Sequence, residues 1–98
     1  MSKSTVLDVE ALIQDIENLD GDHELLVYNN DITPFVVVVI TLMGALNCPS
    51  DYAVYCANMI HTTGSHVVIT ADYGFCYQVS EALKNIQVES KIIPVQSQ

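Results

Sequence analysis

The sequence predicts an α+β sandwich of the α/β class. In it, a small, mostly antiparallel three-stranded sheet packs with three helices in the order β-α-α-β-α-β, after an N-terminal helical extension. Three observations predict it. Short runs rich in β-branched residues, "ELLVY", "HVVIT" and "SKIIPV", are spaced along the chain. The stretches between them repeat apolar residues at helical spacing. Proline and glycine fall at the joints between the two kinds of run. Elements of both kinds in one short chain pack as a sheet covered by helices.

Residues 1–22 form the extension. Val6, Val9, Leu12 or Ile13, Ile16 and Leu19 recur at helical spacing over residues 5–19, and "TVLD" (Thr5 to Asp8) has the form of a capping box. Gly21 in "LDGD" breaks the pattern. The body, residues 23–98, opens with a strand from Glu24 to Tyr28. "TPFVVVVITLMGAL" is ambiguous, because its β-branched run favours a strand. Its length and the pair Thr33 (N-cap) and Pro34 (first helical position) favour a helix, which is the reading adopted. In the next helix Pro49 opens, Gly64 closes, and Ala53, Cys56, Ala57 and Ile60 share one face. After the strand "HVVIT", Asp72 caps a helix running to about Gln87. Its inward face carries Phe75, Cys76, Val79, Ala82, Leu83 and Ile86. Pro94 places the final strand at a sheet edge.

Ninety-eight residues suit one domain with a modest core. Twelve acids oppose three lysines, with no arginine, for a formal charge of −9. That balance argues against nucleic acid and against anionic membrane surfaces, and it suits a cationic partner. Seven of the twelve acids precede Leu25. The N-terminus lacks the basic-then-apolar order of a secretory signal. The longest apolar run, Phe35 to Leu46, falls short of the roughly 20 residues that span a bilayer. Cys48, Cys56 and Cys76 show no CxxC spacing and read as reduced core thiols. The expected setting is cytoplasmic, or an organellar stroma after import.

Little in the sequence supports catalysis. Cys56 lies five residues before His61 on the expected core face, a poor geometry for a cysteine–histidine pair. His61, His66 and Asp31 lack a recognised metal spacing. There is no glycine-rich phosphate loop, so neither a metal nor a cofactor is expected. His23 reads as exposed. His61 alone reads as a helix C-terminal residue favoured by the dipole. "YNNDITPF" (Tyr28 to Phe35) crowds side-chain oxygens between two apolar elements. Residue types leave two readings of it. It is a turn before a helix, or it is a set of acceptors beside an apolar pocket for a ligand with a cation at one end.

"LLVYNNDITPFVVVVITL", followed some thirty residues later by "MIHTTG", resembles the ClpS family, adaptors that bring N-degron substrates to the AAA+ unfoldase of the Clp protease. The likeness covers about residues 23–95. Asn29, Asp31, Thr33, Pro34, His61 and Gly64 stand at the family's motif positions. The resemblance implies the same β-α-α-β-α-β fold and a non-enzymatic adaptor. Asn29, Asp31 and His61 would hold a free α-amino group. Ile32, Thr33, Phe35, Val38, Ala57, Ile60 and Ile92 would form the pocket for a bulky first side chain. The implied partners are N-degron peptides or proteins and the N-terminal domain of a Clp-family AAA+ unfoldase. The alternative is a same-fold interaction module that has lost N-degron selectivity.

The chain departs from the family at several positions. Asn30 replaces an aspartate, Ile32 a common tyrosine, and Phe35 and Ala57 methionines at the pocket. Val36 and Ile40 stand at acidic positions. If Val37, Val38, Thr41 and Leu42 face the core, Val36 and Ile40 look outward with Met43 and form a candidate face for self-association or another protein partner; the alternative is that the N-terminal helix folds back and covers it.

Overall fold

The computed structural model describes residues 21–95, so the amphipathic stretch expected over residues 5–19 lies outside the described residues. The elements are β1 (Asp22–Tyr28), α1 (Phe35–Leu46), α2 (Ser50–Thr63), β2 (Ser65–Asp72), α3 (Tyr73–Lys84) and β3 (Ser90–Pro94). The sheet is antiparallel throughout, with β1 between β2 and β3. α2 and α3 pack on the sheet, and α1 packs on those two helices, its buried residues joining the same core.

β1 begins at Asp22, two residues earlier than its apolar run suggests. The period of two then places His23 on the same face as Leu25 and Val27. His23 is therefore buried, not exposed as its polarity suggests. Its Nδ1 lies 2.9 Å from the Gly21 carbonyl, and its ring meets Tyr73 edge-on at 5.4 Å. Those contacts meet the polar and apolar needs of an imidazole inside a fold.

Leu25, Val27, Val39, Leu42, Leu46, Ala53, Cys56, Ala57, Ile60, Val68, Cys76, Val79, Leu83 and Val88 form one core. A fully buried leucine or valine there contributes roughly 1.5–3 kcal/mol. The inward face expected for α2 is the one observed, Ala53, Cys56, Ala57 and Ile60. On α1 the phase differs from expectation. Val39, Leu42 and Leu46 are buried, whereas Val37, Val38 and Thr41 are half-buried. Val36 and Ile40 do face outward. Met43 does not join them, because it packs against the core.

Of the three described helices only α3 has a side-chain N-cap; α1 and α2 start at Pro34 and Pro49 without one. Asp72 caps α3 by accepting from the Phe75 N–H at 2.7 Å. Gly64 ends α2 at φ 95°; a Cβ there would touch nothing, so the left-handed backbone, not space, requires glycine. At α1 the expected cap is absent. Pro34 is its N-cap and Thr33 does not cap it. The Thr33 hydroxyl instead donates to the Ile86 carbonyl at 2.7 Å.

The β1–β2 register slips between Leu25 and Leu26, so Val68 has no counterpart on β1. This bulge frees the Val68 carbonyl, and the Tyr52 hydroxyl of α2 donates to it at 2.8 Å. Burial of the hydroxyl, reinforced by the Cys56 thiol, pushes the Tyr52 phenol up to about 12. The folded chain thus keeps this proton above pH 10, where an unfolded tyrosine releases it. The stabilisation is whole below about pH 10 and is lost as pH climbs towards 12. Tyr52→Phe should flatten the alkaline fall in stability over that window. Denaturant midpoints measured from pH 9 to 12 check this, and equal slopes in parent and variant would refute it.

The loop from Asn29 to Pro34 is held from both sides. The Tyr28 N–H donates to the Glu89 carbonyl at 3.0 Å, and the Asn29 N–H donates to the Gly64 carbonyl at 2.9 Å. Asn30 folds the loop on itself. Its Oδ1 accepts from the N–H groups of Ile32 (2.9 Å) and Thr33 (2.8 Å). Its Nδ2 donates to the Gln87 carbonyl at 2.7 Å and to the Thr33 hydroxyl at 3.3 Å. The amide is needed as both acceptor and donor. Asn30→Asp keeps the acceptors, loses the donors and sets a charge against a carbonyl. It should cost ~1–2 kcal/mol, seen as a drop of several degrees in Tm. Asp31→Asn, at an exposed neighbour, should leave Tm unchanged.

Candidate binding site

The loop, the start of α1 and the end of α2 enclose a cavity of about 230 Å3. The loop contributes Asn29, Asn30, Asp31 and Thr33. α1 contributes Phe35 and Val38, and α2 contributes Ala57, Ile60 and His61. On α2, Ala57 and Ile60 are buried one turn apart, and His61 lies one step further round, at the exposed rim. The Asn29 N–H to Gly64 carbonyl bond joins the loop to this same helix end. Hence two segments well separated in sequence meet at one mouth.

The polar groups at that mouth divide into two kinds. Asn30 is spent on the loop itself, through its bonds to Ile32, Thr33 and Gln87. The side chains of Asn29, Asp31 and His61 make no hydrogen bond within the described residues. An amide oxygen, a carboxylate and a neutral imidazole nitrogen are all acceptors. Behind them the walls are apolar: Phe35, Val38, Ala57 and Ile60. Acceptors at the rim of an apolar cavity can take a donor-rich polar head with a hydrophobic tail.

Two residues assigned to this cavity from the sequence do not line it. Ile32 points away from it, 73% exposed, into a neighbouring groove. The turn made by Asn30 sets that direction. Ile92 packs against the core from β3, opposite Leu25. Asn30 lines the cavity and was absent from the expected set. An asparagine whose side-chain oxygen can accept from the amides two and three residues on, here Ile32 and Thr33, is the signal for it.

A larger, more open concavity of about 550 Å3 lies between α3 and β3, among Tyr28, Ser80, Lys84 and Glu89. Size does not make it the better candidate. It mixes a cation with an anion, and Ser80 and Ser90 bond each other at 2.7 Å. Nor do the cysteines offer an alternative. Burial pushes the thiols of Cys48, Cys56 and Cys76 up, away from the reactive thiolate. Among the described residues, no group of three or more His, Cys, Asp or Glu side chains could hold a metal ion. No described helix is long and apolar enough to cross a membrane.

Comparison with known proteins gives a concordant result. Residues 19–96 match the family model of the ATP-dependent Clp protease adaptor protein ClpS. No curated protein matches the chain by sequence. Among solved structures, Agrobacterium tumefaciens ClpS2 bound to L-phenylalaninamide shares the fold, with a TM-score of 0.70 at 18% identity. The alignment covers 76% of this chain and 98% of that one. With the family model spanning most of its length, the chain belongs to the ClpS family of adaptor proteins of the ATP-dependent Clp protease.

Proposed function

We propose that this protein captures the free α-amino group and bulky hydrophobic first side chain of N-degron substrates and delivers them to a Clp AAA+ unfoldase–protease. One observation carries the reading: Asn29, Asp31 and His61, all acceptors with no bond inside the described residues, stand at the mouth of a cavity with apolar walls. An α-ammonium has three donors and a pKa of about 8, so it is charged at neutral pH and needs acceptors on several sides. Asp31 supplies the opposite charge, and Asn29 and His61 supply neutral acceptors. An acidic chain also favours a cationic ligand at long range.

The first side chain then enters the cavity between Phe35, Val38, Ala57 and Ile60. A dry cavity of about 150 Å3 accepts benzene, so about 230 Å3 accommodates an aromatic or leucine side chain. The Agrobacterium ClpS2 ligand, L-phenylalaninamide, has this combination of amine and aromatic ring. An acetylated or internal residue offers no cation and leaves the acceptors unmatched. Capture would be followed by handover to the unfoldase's N-terminal domain, with residues 1–22 serving that step. The outward Val36 and Ile40 of α1 offer a face for self-association.

Titration of a fluorescent peptide beginning with Phe, beside its N-acetylated form, tests the reading. The first should bind and the second should not. His61→Ala and Asp31→Ala should each weaken binding by ~10–100-fold, the loss of one charge-assisted hydrogen bond of about 1.5–3 kcal/mol. Unchanged affinity in both variants would overturn the assignment.

Ala57 sets the depth of the cavity. Ala57→Met should fill its floor and narrow the range of accepted first residues, with Trp penalised before Leu. A panel of peptides differing only in the first residue reads this out. An unchanged ranking would remove Ala57 from the site.

A further inference from the structure

α2 and α3 cover one side of the sheet. His23, Leu25 and Val27 point to that side, so the period of two turns Glu24, Leu26 and Tyr28 to the other. On the neighbouring strands Val67 pairs with Leu26, and Ile93 pairs with Glu24. Leu26, Val67 and Ile93 are half-buried, and they belong neither to the core nor to the residues packed against it. Register makes them one patch, with Val67 directly opposite Leu26 and Ile93 diagonally across from it. An antiparallel sheet with one wet face normally puts polar residues there. Three aliphatic side chains in the middle of that face break the alternation and mark a surface that is covered.

The chain carries a matching cover. Val6, Val9, Leu12, Ile13, Ile16 and Leu19 recur at helical spacing, and Asp20 and Gly21 alone separate them from β1. We propose that residues 5–19 fold back from Gly21 as a helix and lie across the outer face of the sheet, their apolar stripe on Leu26, Val67 and Ile93.

Three considerations select this occupant. The lengths agree: residues 5–19 as a helix span ~22 Å, and the seven residues of β1 span ~23 Å. The connection is short, as it is where a helix packs on the sheet of the strand it adjoins. Val36 and Ile40, the other outward apolar pair, lie on α1, stacked beyond α2 and α3 and so a helix layer further from the sheet. Charge is complementary as well. Residues 5–19 carry Asp8, Glu10, Asp15 and Glu17 and no cation, and Lys91 stands exposed on this face opposite Leu26. Glu24, the acid of the face, lies towards its Gly21 end. A free helix of this length is marginal in water, so its order reports on the face it covers.

Hydrogen exchange read by mass spectrometry on the full chain tests the proposal. Amides of residues 9–19 should exchange at least ~10-fold more slowly than an unstructured chain, at every protein concentration. Leu26→Thr with Ile93→Thr should abolish that protection while α2 stays protected, since threonine keeps the strand's propensity. Lys91→Glu, at an exposed side chain, should speed the exchange ~2–5-fold. Val36→Ser with Ile40→Ser should change nothing in residues 9–19. Free exchange of residues 9–19 in the parent would overturn the inference. So would protection that survives both sheet-face variants, or that is lost in the Val36 and Ile40 variant. Protection that appears only as concentration rises would place a second copy on the face and overturn it too. Peptide binding enters none of these readouts, so the adaptor reading stands or falls separately.

Discussion

Two backbone hydrogen bonds at the exit of β1 anchor the loop end of this molecule. β1 is the central strand, and where its sheet pairing ends its chain would otherwise be free. Instead the Tyr28 and Asn29 amides take carbonyls from opposite flanks, Glu89 after α3 and Gly64 after α2. Each bond satisfies a backbone donor that would be costly to leave unpaired. The Asn29 bond ties the loop to the end of α2, and the Tyr28 bond ties it to the segment before β3. The cavity that Asp31 and His61 line lies between the two segments joined by the Asn29 bond. Gly64 matters twice, since its left-handed backbone both stops α2 and presents the carbonyl that holds Asn29.

Much of this fold was legible in the sequence because its signals were local. Gly64, Pro49 and Asp72 mark element ends through backbone conformation or capping, which depend on few neighbours. The inward face of α2 could be read because apolar and polar residues alternate along it with helical period. α1 could not be phased in the same way. Residues 35–40 are all apolar, so no polar position betrays the outer side, and Val39 was missed as a core residue. His23 carries no local sign of its burial, because the strand start around it is polar and only the strand period puts it on the inner face.

The site was legible in part. Asn29, Asp31 and His61 come together as a set only through the resemblance to the ClpS family, since residue types alone leave the loop open between a turn and a group of acceptors; the structure places all three around one cavity. The directions of side chains within the loop could not be read from the sequence. Asn30 turns the chain so that Ile32 leaves on the far side, and the same turn draws Thr33 to Ile86 rather than to the start of α1. Ile92 failed as a pocket residue for another reason. Its register opposite Leu25 directs it into the core between sheet and helices. Register belongs to the pairing of distant strands, and no local pattern encodes it.

The amide at position 30 has a consequence for how such a site can change. A carboxylate there would carry charge and shape at once, and any alteration of one would disturb the other. Here the turn is held by a neutral group that donates and accepts, and it does not titrate. The neighbouring carboxylate at position 31 is left free of structural duty. Geometry and electrostatics are thereby assigned to adjacent but separate side chains. Substitutions at 31 can retune attraction for a ligand without remoulding the loop, and substitutions at 32 can alter its outer surface under the same protection. The loop is a chassis on which specificity can drift.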